Sequence, residues 1–316
     1  MPHHKTCSLV LHEYNIEIKS DNRRFISVVC SSLPYYFERE VQKSISNKKK
    51  ILISFNKTNK IPRNNHVSAA YIAKYDIPSV GIWRTIDYDK NQILIRAKDY
   101  VNSGGNWIFH VAFLSPLSFL LRKFSSSLVH AALVERNGSG ILIMGAKGAG
   151  KSTFSTVCLQ NGFRYYSDEH PLLEIKGDKI KGKSFFSHIG LPAVSRRNFK
   201  ELNTHMSWST KRRKYYLDPQ AVQPGSLGNV CEIKKIIFPK FSLGHKLTLK
   251  KLTTSQSLNL FLLDEYFHFD CQNETTKKLS LWHFEMAAKL VGSTSGFSLN
   301  YGTGSIRKIP ELLKRL

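Results

Sequence analysis

Over the first third of the chain, apolar residues come in short alternating runs. Ile51-Leu52-Ile53-Ser54-Phe55 and Gln92-Ile93-Leu94-Ile95 are examples, each bounded by turn residues and lysines. That spacing predicts strands, so Ser8 to Ile95 reads as a small α/β region rich in sheet. The period then changes. Ser115 to Phe124 is apolar at helical spacing, with Ser115 expected as the cap and Pro116 at the first helical position. A domain junction at this helix gives a small α/β N-terminal domain over residues 1–124 and a second domain over 125–316.

In the second domain, Leu128 to Glu135 and Gly140 to Met144 are predicted strands. Arg136-Asn137-Gly138-Ser139 joins them, and Asn-Gly between apolar runs signals a hairpin. Ser152 to Gln160 has helical character and stops at Asn161-Gly162, where Gly162 suits the left-handed residue that closes a helix. A strand predicted at Phe163 to Tyr166 delivers Ser167-Asp168-Glu169-His170 at its carboxyl end, where open α/β sheets bind ligands. Further on, Leu279 to Leu290 and Ile309 to Leu316 read as helices, with a strand-like Gly296 to Tyr301 between them. The chain has no internal repeat and no low-complexity segment.

Between the second strand of the hairpin and the helix stands Gly145-Ala146-Lys147-Gly148-Ala149-Gly150-Lys151-Ser152. It matches G-x-x-x-x-G-K-[ST] in the setting that motif requires, after an apolar strand and before a helix. Glycines let the backbone N–H groups of such a loop turn toward a β-phosphate, and the helix N-terminus adds a favourable dipole. Lys151 is expected to contact the β- and γ-phosphates of ATP, the Ser152 hydroxyl to ligate Mg²⁺, and Thr153 to complete the nucleotide-binding stretch. Two other nucleotide-binding classes are set aside. The Asn-Lys-x-Asp of a GTPase is missing, since Asn56-Lys57-Thr58-Asn59 precedes the loop and lacks the aspartate. Gly225-Ser226-Leu227-Gly228 is not the Leu-Ser-Gly-Gly of a transport ATPase.

Asp168 follows Lys151 by 17 residues. A carboxylate there can ligate Mg²⁺ or accept the proton of an attacking hydroxyl, and Glu169 beside it can take the other role. His170 adjoins both. His130, alone in an apolar strand, has no chemistry that the pattern itself specifies.

The charge of +24 on 316 residues suits anionic partners, with phosphates and acidic peptides among them. It is spread along the chain: residues 1–125 carry 19 Lys and Arg against 9 Asp and Glu, and residues 126–316 carry 28 against 14. Local clusters stand at Lys48-Lys49-Lys50 and Lys211-Arg212-Arg213-Lys214. Even charge without aromatic residues interleaved in a basic stripe argues against nucleic acid. Five scattered cysteines without a C-x-x-C pair argue against a disulfide framework and a zinc site, and suit a reducing cytoplasm. Trp107 to Leu121, the most apolar stretch, is too short for a bilayer and holds His110 and Pro116, and the N-terminus has no signal-peptide pattern, so no membrane association is expected.

The segment from Val129-His130-Ala131 through Lys151-Ser152 to Ser167-Asp168-Glu169-His170 resembles the HPr kinase/phosphorylase family, and within it the HPr-kinase-like enzymes of peptide-modification clusters, such as lasso-peptide precursor kinases. That resemblance implies a mixed-sheet kinase core like that of phosphoenolpyruvate carboxykinase. It also implies Asp168 as general base, His130 as a neighbour orienting the reacting groups, a serine of a protein or peptide as acceptor, and a homo-oligomer. The chain departs from the family pattern in two places: Glu169 stands where those kinases have Asp, and their glycine-rich E-I-R-G-L-G signature appears as Ser187-His188-Ile189-Gly190-Leu191-Pro192. The expectation is therefore a cytoplasmic ATP- and Mg²⁺-dependent serine kinase. The rival readings are a small-molecule kinase on the same scaffold and a non-enzymatic basic module that binds ATP and holds an acidic peptide or nucleic acid.

Overall fold

The structure, a computed structural model, describes residues 5–23, 25–27, 49–58, 72–74, 77, 81–98, 113–185, 188–210, 213–244, 246–264 and 272–314. Lys48, Trp107 to Ala112, Ser187, Lys211 and Arg212, Cys30 and Cys271, all part of the sequence reading, lie outside these. Two compact units emerge: Met1–Ser127 with Phe269–His283, and Leu128–His268 with Phe284–Leu316.

In the first unit, strands β1 (Lys5–Leu11), β2 (Tyr14–Ser20), β3 (Lys49–Lys57), β4 (Ile72–Lys74), β5 (Ile82–Asp87) and β6 (Gln92–Ala97) form one mixed sheet, ordered β1-β2-β3-β6-β5-β4. Its two parallel pairs are β2 with β3 and β3 with β6. The alternation seen in the sequence places Tyr14, Ile16 and Ile18 of β2 and Ile51, Ile53 and Phe55 of β3 in the core. Helix α1 (Ser115–Leu121) buries Pro116, Leu117, Leu120 and Leu121. Ser115 is not its cap: Leu114 holds that position with helical angles, and the Ser115 hydroxyl accepts instead from Arg84, at 3.4 Å.

Strand β7 (Ser126–Leu128) leads into the second unit, whose β8 (Ala131–Arg136) and β9 (Ser139–Met144) form the expected hairpin. Asn137 and Gly138, at φ 52° and 78°, supply the two positive angles that match a tight turn to strand twist. The predicted strand over Leu128 to Glu135 is broken at His130. Val129 N–H donates to the Pro171 carbonyl and Ala131 N–H to that of Glu169, so the two sides of His130 bond to a different segment from the rest of β8.

Helix α2 (Lys151–Gln160) follows β9, and Gly162, at φ 82°, closes it as the sequence suggests. Next come β10 (Arg164–Ser167), the hairpin β11 (Leu172–Lys176) and β12 (Lys179–Lys183), then β13 (Ile189–Pro192), β14 (Met206–Ser209) and β15 (Lys214–Leu217). The chain continues through the single turn α3 (Pro219–Val222), the long β16 (Val230–Phe241), β17 (Thr248–Lys251), α4 (Thr254–Asp264), α5 (Glu274–Ser293), β18 (Ser295–Tyr301) and α6 (Ile309–Lys314). No helix among the described residues is long and apolar enough to cross a membrane.

The large sheet of this unit runs β10-β8-β9-β16-β12-β11, with β18 beside the second half of β16 and β17 outside it. β10 is antiparallel to β8 and β8 to β9, so β10 and β9 point the same way. Their carboxyl ends share one edge of the sheet, and the crossover through α2 skips β8. β16 runs parallel to both β9 and β18, which makes the sheet mixed. Ala132, Val134, Ile141 and Ile143 on one face pack with Phe154, Val157 and Cys158 of α2, fixing the helix over the strands that carry the two functional segments.

Candidate functional site

Because β9 and β10 end at one edge, the loop after β9 and the acidic segment after β10 come together there. The loop runs from Gly145 to Gly150, with Ala146, Lys147 and Gly148 exposed and Lys151 and Thr153 buried at the start of α2. Gly148 and Gly150 adopt φ 91° and 98°, the left-handed region that glycine enters without steric cost. Gly145 has no room for a side chain, since a Cβ there would lie 2.8 Å from that of Ala149. Ala149 N–H donates to the Ala146 carbonyl at 3.0 Å, and the Lys151 ammonium donates to the Gly145 carbonyl, so the loop curls back across its own mouth.

The Ser152 hydroxyl donates to Asp168 Oδ2 at 2.8 Å, and Gly190 N–H donates to the same oxygen at 3.4 Å. Asp168 is 1% exposed, and its Oδ1 is buried without a hydrogen-bond partner. Burial pushes the carboxyl up from an ordinary 3.8 to about 6, and the Glu169 charge adds to the rise. Bonds from Ser152 and Gly190 and the charge of Lys151 oppose it.

Glu169 is half-buried, and its carbonyl receives Ala131 N–H at 3.1 Å. His170 N–H is held by the Ser167 hydroxyl at 3.0 Å, and its ring centroid lies 6.0 Å from that of His130. The two imidazoles are therefore neighbours, tilted by 43° to each other. Lys151, Ser152 and Asp168 form one hydrogen-bonded and electrostatic group, while His130 joins it through His170 and the backbone of residue 169.

Two members of the site were not singled out from the sequence. Gly190 lies in the very segment set against the family's glycine-rich signature, and what that segment brings to Asp168 is a backbone N–H. Tyr301, at the end of β18, packs behind the loop, its hydroxyl 3.3 Å from the Gly150 carbonyl and 3.4 Å from that of Ala149. The ring of Phe241 meets that of Tyr301 edge-on at 5.4 Å. No local sequence signal exists for a contact spanning some 150 residues.

An unpartnered, buried carboxylate oxygen beside a hydroxyl at a helix N-terminus suits a hard divalent cation, so Ser152 and Asp168 fit Mg²⁺. Among the described residues no three His, Cys, Asp or Glu side chains gather as a metal cage. A Mg²⁺ shared with substrate phosphates uses only one or two protein ligands.

No family model matches the chain, and no curated protein does. Among solved structures, the Hpr(Ser) kinase/phosphatase from Coxiella burnetii is similar over 60% of this chain and 93% of its own, at 13% identity and a TM-score of 0.31. A likeness that distant decides nothing about the site.

Proposed function

We propose that this chain is an ATP-dependent kinase that transfers the γ-phosphoryl group to a hydroxyl, a serine of a protein or peptide. The observation that carries the reading is the buried Asp168, held by Ser152 at the start of α2, directly behind a glycine loop with the G-x-x-x-x-G-K-S pattern. The loop and Lys151 receive the phosphates, with the Lys151 ammonium leaving the Gly145 carbonyl for the more strongly charged partner. The acceptor oxygen attacks the γ-phosphorus, a new O–P bond forms, the bond to the bridging β–γ oxygen breaks with its electrons, and ADP departs. Asp168 takes the acceptor's proton. With Asp168 serving as the base, Mg²⁺ would be held by the Ser152 hydroxyl and the phosphates themselves and would supply charge neutralisation on them. His130 and His170 stand beside the acidic pair, where they can orient the acceptor.

Incubation with γ-labelled ATP and cell lysate tests the reading, because the labelled species reports the acceptor class: protein or peptide, small molecule, or none. Lys151→Ala is expected to weaken ATP binding by roughly 10–100-fold, the worth of a charge-assisted contact, with the fold retained since the lysine head bonds the Gly145 carbonyl of the loop rather than packing in the core. Titration with a fluorescent ATP analogue checks this. Parental affinity and turnover in the variant would remove the loop from the nucleotide site.

A further inference from the structure

Sheet β13-β15-β14 sits at the candidate site, since Gly190 of β13 donates to Asp168. Its two faces differ sharply. Ile189, Leu191 and Leu217 on one face are buried in the core, and the exposed Trp208 packs against Tyr215 on that same side at 4.7 Å. Register and alternation put Gly190, Lys214, Tyr216, Ser207 and Ser209 on the other. A Cβ on Gly190 would point at Lys214 and Tyr216, with the Lys214 Nζ 3.8 Å away. The Lys214 and Tyr216 side chains thus lie across the buried Gly190, and the Lys214 ammonium stands on this face directly over the residue that bonds Asp168.

Lys214 is half-buried and makes no ion pair among the described residues. The segment that builds the sheet is also far more basic than the chain as a whole. Residues 188–217 carry seven Lys and Arg against one acid, Glu201, which is already bonded to Arg307 and Gln160; Asp218, just beyond, caps the next turn by accepting from Gln220 N–H and acts on His188. A partly desolvated lysine without a counter-ion calls for an anion on the ligand. A flat nucleobase finds no partner on this face: its one aromatic ring, Tyr216, is half-buried and set edge-on against His188 at 6.4 Å.

We propose that the outer face of β13-β15-β14 is the acceptor platform, over which an extended acidic peptide lies along Ser207, Tyr216 and Lys214 with a carboxylate held by Lys214. This rests on the kinase reading for its direction, because it places the peptide's hydroxyl at Asp168. Binding tests it without relying on turnover. A fluorescein-labelled peptide with a serine between pairs of glutamates, and a counterpart with lysines in place of the glutamates, are titrated against the intact chain and against Lys214→Glu. Lys277→Glu, an exposed position in α5, makes the same charge change elsewhere. The glutamate peptide is expected to bind the parent and Lys277→Glu alike and Lys214→Glu about ten-fold or more weakly, with the lysine peptide showing the reverse preference. Equal weakening by the two variants would mean diffuse attraction to a basic surface and would overturn the proposal. So would binding of both peptides alike, failure of the glutamate peptide to bind, or its displacement by oligothymidylate at lower concentration. Binding as expected with no label moved from ATP would instead refute the kinase reading and leave the platform standing.

Discussion

Asp168→Asn is expected to cut phosphoryl transfer by roughly 10²–10⁴ while ATP affinity stays within a few-fold, since the amide keeps the shape and the Ser152 bond but takes no proton. In the parent, kcat/KM should climb with pH through about 6, where Asp168 ionises. The same carboxyl bears on stability in a definite direction. Its pKa is raised in the folded state, from 3.8 to about 6, so well below pH 3.8 it is neutral in folded and unfolded chains and has no effect. Between 3.8 and 6 the unfolded chain sheds a proton that the folded chain keeps, so the cost grows across that window. As pH rises through 6 the folded protein must carry a buried charge that the unfolded chain carries freely in water. The difference of about 2 units corresponds to a cost of roughly 3 kcal/mol above pH 6. Asp168→Asn should therefore melt higher than the parent at pH 8 and level with it at about pH 3. A variant that is less stable than the parent at pH 8, or that transfers phosphate normally, would take Asp168 out of this role. Weakened Mg²⁺-dependent nucleotide binding would instead mark it chiefly as a metal ligand.

Local chemistry made the site's centre legible in the sequence. The Asn137-Gly138 turn, the Gly145 to Ser152 loop and the Gly162 helix stop are all written in short stretches whose residues have few other uses. The pairings that give the site its walls are not local. β16 inserts beside β9 from some 90 residues away, and β18 follows it from farther still, so neither Tyr301 behind the loop nor Gly190 against Asp168 leaves a mark in its own neighbourhood. The helix over Ser115 to Phe124 was legible from its apolar spacing, but not its start, because a serine before a proline reads as a cap even when a turn already precedes it. His130 shows a related limit. An apolar run through Leu128 to Glu135 reads as one strand, whereas the hydrogen bonds of Val129 and Ala131 to residues 171 and 169 decide that it breaks. The run Lys211 to Lys214 was legible, but the even balance of charge between the halves did not show that it belongs to a basic element over residues 188–217, because a halving of the chain averages over elements of thirty residues.

The loop's dependence on that distant wall gives the second large effect. Gly150 stands at φ 98°, a conformation that costs a side chain roughly 1–2 kcal/mol, and a Cβ there would lie 1.8 Å from the Tyr301 hydroxyl oxygen. The hydroxyl cannot simply swing away, since Tyr301 is fully buried and its ring is wedged against Phe241. Gly150→Ala is therefore expected to lose about 2–4 kcal/mol, backbone strain and overpacking together, and to weaken ATP binding by displacing the start of α2. Tyr301→Phe alone should cost only about 1 kcal/mol, the worth of one hydroxyl hydrogen bond. Combined with Gly150→Ala, it should restore part of the loss, because the atom in the way is gone. Recovery stays partial, for the ring carbon that bore the hydroxyl still lies 3.0 Å from the new Cβ and the φ angle is unchanged. Urea midpoints for the parent, the two single variants and the double variant measure this coupling. Strictly additive losses would show that Tyr301 does not form the back of the loop, and a Gly150→Ala protein as stable as the parent would show that the loop tolerates a side chain where this geometry leaves none.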